Sequence, residues 1–295
     1  MEFRTLEGED PALVFDAFTA AFADYAVPLR WSRPDFEANN ARRGYEASIS
    51  VAAYEGGRIA GFALNGLGSF GGRVAAYDMG TGVLPAARGA GLAGLIAARA
   101  VGLLRDRGLG LYVLEVLRGN APAIKTYERA GFRVTRDFEC PGGAFVGPRP
   151  AGGGAAPAGT PPAGLRVEEL PSFPREEAAA MRDWEPSWQN SDDSVARHPF
   201  PLIVLGAGMG GRLAGYVVAQ PSGTIWQLVV ARGDRRRGIG TALLAALAAR
   251  TEGGLRYVNV QSDDIATLGL LARCGIVEGP GQHEMVLELR PPAGV

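Results

Sequence analysis

The 295 residues carry a formal charge of −1, with 47% hydrophobic and 21% charged side chains. That balance supplies apolar mass for two cores and gives no reason to expect nucleic acid or an anionic membrane as partner. The start, MEFRTLEGED, lacks an apolar leader, the most apolar run, Leu92 to Leu104, is broken by Arg99 and too short for a bilayer, and two cysteines with two histidines argue against a Cys/His metal site, so a cytoplasmic, metal-free monomer or homodimer is expected.

In chain order, Glu2 to Leu6 reads as a strand and Pro11 to Asp24 as a helix with Ala17, Phe18, Ala21 and Phe22 on one face. Ala47 to Gly66 reads as two strands around Glu55-Gly56-Gly57, and Arg73 to Leu84 as a third that Pro85 ends. A glycine turn and an amphipathic helix follow, then a strand at Leu111 to Leu117, a helix entered near Asn120, and the step Gly131-Phe132. From Pro141 to Gly164 the chain is almost wholly Pro, Gly and Ala, the composition of a linker between a domain at 1–140 and another at 165–295.

Beyond that stretch the pattern returns. Leu165 to Leu170, Ile203 to Leu205, Arg212 to Ala219 and Thr224 to Ala231 read as strands, and Pro174 to Arg182 as a helix. VVARGDRRRGIGTALLAALAARTEGG then repeats VLPAARGAGLAGLIAARAVGLLRDRG, in register to within a few residues. The chain reads as a duplication of one domain. In each copy the order is strand, helix, antiparallel meander, then β–helix–β–helix–β, which describes a mixed-sheet α/β layer rather than a doubly wound parallel sheet.

Gly89-Ala90-Gly91-Leu92-Ala93-Gly94 spells the G-x-G-x-x-G of dinucleotide sites, with Glu115 downstream. A nicotinamide or flavin site is nevertheless disfavoured. Pro85 to Arg88 separate the strand from the glycines, and in the second copy Leu243 stands where a third glycine would follow Gly238 and Gly240. The copies share R-x-x-G-x-(G/A), as Arg88, Gly91, Ala93 and as Arg235, Gly238, Gly240. Glycines let successive N–H groups converge on one anion, the next helix adds its positive end, and a loop arginine adds charge. A diphosphate held by backbone suits that pattern.

This loop after a strand, followed by Asn120-x-x-Ala123-x-x-x-Tyr127-x-x-x-Gly131-Phe132, resembles the GCN5-related N-acetyltransferase (GNAT) family, in both halves apart from the linker. The resemblance implies two domains, each a mixed, mostly antiparallel twisted sheet with a splayed parallel strand pair and flanking helices. It implies acetyl-CoA as co-substrate, with its diphosphate on Arg88, Gly89, Ala90, Gly91, Leu92 and Ala93, near Asn120. The second copy would use Arg235, Arg236, Arg237, Gly238, Ile239, Gly240 and Thr241. The pantetheine arm would follow Val83 and Leu84 in the first copy, and Val230 in the second.

The implied reaction is direct transfer to a small primary amine. A base must take a proton from the amine, a strand N–H polarises the thioester carbonyl, and an acid protonates the departing thiolate. Tyr127 matches the acid position; Asp78 and Tyr77 are candidates for the base, with Glu115 another. Asn120 before Ala121-Pro122 also fits a plain N-cap, and Tyr127 a packing residue. In the second copy Leu271 replaces Tyr127 and Asp264 replaces Asn120, so the first domain is expected to do the chemistry while the second binds acetyl-CoA idly or covers the substrate. A protein that binds acyl-CoA without turnover is the alternative. Asp24, Tyr25 and Trp31, like Trp184, Trp188, Asp192 and Asp193, offer carboxylates and aromatic walls to a cationic amine, or anchor a loop to the core.

Overall fold

The computed structural model describes residues 1–27, 29–147 and 162–289. Its described residues form two compact units, one of Met1–Thr135, Arg197–Pro199 and the chain from His283 on, the other of Arg136–Ala196 and Phe200–Gln282. Each unit is a mixed α/β layer, as the element order predicts.

The first unit opens with β1 (Glu2–Thr5) and α1 (Pro11–Ala21), whose N-cap Asp10 accepts the Ala12 N–H and whose first residue is proline. Helix α2 (Arg33–Arg43), not anticipated above, starts from a capping box between Ser32 and Asp35 and ends at Gly44 with φ of +78°. β2 (Val51–Glu55), β3 (Arg58–Phe70) and β4 (Arg73–Val83) form the meander, turning at Gly56-Gly57 and Gly71-Gly72, all with positive φ. Then come α3 (Leu92–Asp106), β5 (Leu111–Leu117), α4 (Ala121–Ala130) and the start of β6 (Arg133–Glu139).

The sheet runs β1-β2-β3-β4-β5, and the chain's last strand, Gly281–Glu288, enters between β5 and β6. That strand and the residue after it bring Met285, Leu287 and Leu289 into a core shared with Ile96, Ala100 and Leu104 of α3 and Tyr112, Leu114 and Val116 of β5. On the other face Phe18 of α1 meets Phe36 of α2 and Phe62 of β3, with ring centroids 4.9 and 6.3 Å away. The unit that the repeat pattern ends near residue 140 is therefore completed by residues about 140 positions later.

The second unit contains β7 (Gly142–Gly143), β8 (Arg166–Glu169), α5 (Arg175–Met181), α6 (Asp192–Arg197), β9 (Ile203–Met209), β10 (Arg212–Ala219) and β11 (Thr224–Val230). It continues with α7 (Ile239–Ala248), β12 (Leu255–Tyr257), β13 (Val260–Gln261) and α8 (Ile265–Arg273), and leads into the last strand, β14. Its sheet is ordered β7-β12-β11-β10-β9-β8, and β13 pairs with Phe138 and Glu139 of β6. The expected linker therefore begins with ordered chain: Gly142 and Gly143 pair with Arg256 and Leu255. Its residues 148–161 lie outside the described residues.

Leu287 is 6% exposed and touches the αL turn at Gly131, where an added Cβ would come 3.2 Å from its Cδ1. Leu287→Ala is expected to destabilise the first unit by about 2–5 kcal/mol. Hydrogen exchange will check this, with faster exchange appearing in β5 and α3 and little change in β9 and β10.

Candidate functional site

Strands β4 and β5 are paired in parallel from Ala75–Leu111 to Asp78–Leu114, and there the pairing stops although β4 runs on to Val83 and β5 to Leu117. The cause is local. On its other side β4 pairs Asp78 with Asn65 and Gly80 with Leu64, leaving Met79 as an extra residue. Such a bulge bends its strand away from the neighbour. The same event recurs in the second unit. β11 and β12 pair only at Thr224–Arg256 and Ile225–Tyr257, and Trp226 is the residue skipped against β10.

At the first splay stands a small polar cluster. Tyr127, one face of α4, donates its phenol hydrogen to Asp78 Oδ2 at 3.1 Å; Thr81 Oγ1 donates to the same oxygen at 2.7 Å, and the Gly80 N–H to Oδ1 at 2.9 Å. Asp78 is 6% exposed, and burial pushes its carboxyl up to about 6 against these three hydrogen bonds. Burial and then the Asp78 charge hold the Tyr127 phenol well above its ordinary range, so it keeps its proton. Beneath them, Tyr112 donates to Asn65 Oδ1 at 2.7 Å, and Asn65 in turn donates to the Ile49 carbonyl. Thr81 and this Tyr112–Asn65 support were not picked out from sequence; no motif spacing marks them.

Tyr77 faces the other way, as alternation along a strand requires. Its phenol donates to Glu115 Oε2 on β5, and burial with the nearby Glu115 charge raises it well above the usual phenol range. The structure thus separates the two relay candidates: Asp78 joins Tyr127, and Tyr77 joins Glu115. Arg43 lies on Tyr77's side, donating to the Met79 carbonyl at 3.3 Å with its guanidinium 5.9 Å from the Trp31 ring. Trp31 stacks on Phe18 at 5.3 Å, an anchor to the aromatic core.

The glycine loop has the expected backbone and an unexpected arginine. Gly89 and Gly91 have φ of +85° and +75°, and Gly91 caps α3 without any side-chain hydrogen bond, so the first-turn N–H groups of Leu92 and Ala93 point out of the helix end. A Cβ at Gly89 or Gly91 would meet nothing within 4 Å, so the space before the loop is open. Arg88, however, turns its side chain to the protein. It donates to the Val83 carbonyl at 3.1 Å, to the Ala21 carbonyl at 2.9 Å, and twice to Asp24, at 2.6 and 2.9 Å. Arg88 and Asp24, expected to meet the diphosphate and the amine, bind each other, and the pair holds Asp24 below the usual carboxylate range. Arg88 braces the loop rather than charging it. Beside it, Tyr25 meets the Asn120 side chain, whose Oδ1 accepts the Ala123 N–H and caps α4.

The second unit repeats these contacts with other residues. Arg235 donates to the Val230 carbonyl at 3.0 Å and pairs with Asp183 at 2.5 Å, as Arg88 does with Val83 and Asp24. Trp184 donates to Asp264 Oδ2 at 3.0 Å while Asp264 Oδ1 accepts the Thr267 N–H and caps α8, as Tyr25 and Asn120 do. Gly238 caps α7 with φ of +77°, and Arg236 holds the position of Gly89 at φ of +64°. Asp192 and Asp193 are paired to Arg182 and Arg175, at 2.5 and 2.8 Å.

The polar cluster is not repeated. Counted from the last parallel pair, Ile225 stands for Asp78 and Leu228 for Thr81; counted from the αL glycines Gly131 and Gly275, Leu271 stands for Tyr127. All three are buried in the apolar core. A cavity of about 340 Å3 nonetheless opens at this second splay, bounded by Val230, Arg235, Arg236, Gly238, Gly240 and Tyr257 among others. Among the described residues no cluster of three His, Cys, Asp or Glu side chains could hold a metal, and no helix is long and apolar enough to cross a membrane.

A profile of the acetyltransferase (GNAT) family matches this chain twice, at residues 14–132 and 165–276. Two curated relatives are mycothiol acetyltransferases. That of Thermomonospora curvata is 31% identical over 44% of this chain and 43% of its own length. That of Clavibacter michiganensis subsp. michiganensis is 34% identical over 45% of this chain and 47% of its own. The matched stretch thus spans less than half of either relative. Among solved structures, a tandem GNAT protein from the clavulanic acid biosynthesis pathway shares the fold at a TM-score of 0.68 and 16% identity, over 99% of both chains.

The Tyr127 hydrogen bond lowers the Asp78 pKa, so Tyr127→Phe is expected to raise it above the present value of about 6. Because that value already exceeds the ordinary 3.8, Asp78 favours the folded state below about pH 4 and that contribution is lost as pH rises through about 6. Carboxyl-carbon NMR titration of the two proteins, read with melting curves from pH 4 to 7 and with Asp78→Asn as reference, will show the shift and its sign.

Proposed function

This chain belongs to the acetyltransferase (GNAT) family, and we propose that it is an acetyl-CoA-dependent N-acetyltransferase that acetylates a small primary amine by direct transfer, with the chemistry in the first unit. The observation that carries the assignment is the Asp78–Thr81–Tyr127 cluster at the β4–β5 splay, against Ile225, Leu228 and Leu271 at the matching positions of the second unit. The curated relatives, named for mycothiol, support a small-molecule acceptor.

The residues present suit the coenzyme. Two helix N-termini capped by glycines, neither with a side-chain cap hydrogen bond, offer backbone donors to a diphosphate. Acetyl-CoA, when bound, supplies an acetyl group activated as a thioester. In the first unit the N–H groups of Leu92 and Ala93 would hold its phosphates, and the backbone of Val83 and Leu84 would orient its arm. The Arg88–Asp24 pair keeps that loop in position and adds no net charge.

Asp78 and Tyr127 then divide the proton work. Asp78, near pKa 6, is ionised at neutral pH and can accept the proton that the amine nitrogen loses as it attacks the thioester. Tyr127 holds its own proton at Oη through the same range and can donate it. Thr81 and Gly80 fix the carboxylate so that neither group has to search for its geometry. The Tyr77–Glu115 pair lies on the opposite face and ties β4 to β5 there.

Tyr127→Phe should lower turnover by about 100-fold with KM for acetyl-CoA little changed. Asp78→Asn should lower kcat and erase an acid limb near pH 6. Thiol release across an amine panel measures both. Full activity in Asp78→Asn together with a large loss in Glu115→Gln would move the base to the opposite face; release with no amine under any variant would leave only ligand binding.

A further inference from the structure

We infer that the second unit is a retention site for coenzyme A, one that grips the phosphate end and does not distinguish the free thiol from its acetyl ester. The inference rests on the family's coenzyme being the ligand, and it goes further by assigning what this unit selects. Three independent features carry it.

The first is an occupied N–H. Beyond the last parallel pair, the Leu228 N–H faces the gap, and the Tyr257 hydroxyl from β12 accepts it at 3.1 Å. At the matching place in the first unit, three residues past Asp78, stands Thr81, and in the last parallel pair Leu114 replaces Tyr257, with no side-chain acceptor to offer. An acetyl carbonyl entering the second splay would have to displace a phenol that is 2% exposed and whose burial raises its pKa. Breaking that hydrogen bond would leave the phenol oxygen unsatisfied in the core, so the carbonyl gains nothing net.

The second is the apolar replacement of the whole cluster, Ile225, Leu228 and Leu271 standing for Asp78, Thr81 and Tyr127, so the carboxylate–phenol pair of the first unit has no counterpart at those positions. The third is charge at the other end of the same cavity. The turn from Arg232 to Gly238 holds four arginines, of which Arg232 and Arg235 share Asp183, and Arg237 shares Asp234 with Arg212. Arginine outnumbers carboxylate there, with Arg236 exposed at the cavity rim. The first unit's turn, Pro85 to Gly91, has only Arg88, balanced by Asp24. Affinity in the second unit should therefore come from the phosphates and weaken with salt, while the acyl end contributes little.

Calorimetric titration of the full chain with coenzyme A, acetyl-CoA and adenosine 3′,5′-bisphosphate, at low and high salt, tests this. Two sites are expected. The one that survives Gly91→Val should bind coenzyme A and acetyl-CoA within about twofold of each other, retain most of its affinity for the bisphosphate, and be the more salt-sensitive. It should be lost in Arg236→Gly with Arg237→Ala, a pair of exposed changes of which the first suits the positive φ. Tyr257→Phe, which frees the Leu228 N–H without emptying the core, should shift that site toward acetyl-CoA by about threefold or more. A native preference for acetyl-CoA at this site, or an unchanged ratio in Tyr257→Phe, would overturn the inference. Binding in the first unit alone overturns it and spares the proposed function; binding at neither site overturns both.

Discussion

When two parallel strands continue past their last hydrogen bond, they leave a wedge lined by backbone N–H and C=O groups that must find partners. In this chain one extra residue, Met79 in β4 and Trp226 in β11, produces that wedge in each unit. The glycine loop and the last helix are placed by it, since the loop leaves the bulged strand and the helix leaves its neighbour. What differs between the units is how the wedge is lined: in one Asp78, Thr81 and Tyr127 gather around a carboxylate, and in the other a phenol from the strand itself closes on the backbone.

The loop arginines show how a charged side chain near a presumed anion site can serve the scaffold. Arg88 and Arg235 each reach the carbonyl of the last residue of their strand and an aspartate that follows the unit's first helix. Two Asp-aromatic dipeptides, Asp24-Tyr25 and Asp183-Trp184, do the same double task. The aspartate fastens the loop arginine and the aromatic meets the N-cap residue of the last helix, Asn120 or Asp264. These bridges span from loop to helix cap. Exposed ion pairs of this kind add little stability; their effect here is geometric.

Much of the fold was legible because duplication shows itself twice. A glycine that must adopt positive φ before a helix survives as Gly91 and Gly238, and Gly131 and Gly275 mark the two last-helix ends, while the third glycine of the dinucleotide pattern has no counterpart. Helix α2 went unread although Ser32-Arg33-Pro34-Asp35 spells a capping box, because the aromatics before it drew the stretch toward substrate binding. Asp24, Tyr25 and Trp31, which the sequence offered either to an amine or as anchors of a loop, each have a partner within their own unit: Arg88, Asn120 and Phe18.

Sequence by itself determined what depends on local periodicity and on spacing along one element: the strands of the meander, the glycine-capped helices, the Asn120 cap, and the loss of a tyrosine at Leu271. Tertiary structure decided whatever depends on residues distant in the chain. It set Asp78 against Tyr127 and Tyr77 against Glu115, because adjacent residues on a strand face opposite sides of a sheet and only the packed helix shows which side Tyr127 takes. It also gave the first unit its closing strand from the end of the chain, since an unpaired strand edge accepts any segment that can reach it with matching apolar residues, and nothing in the pattern of Met285, Leu287 and Leu289 says where that edge lies.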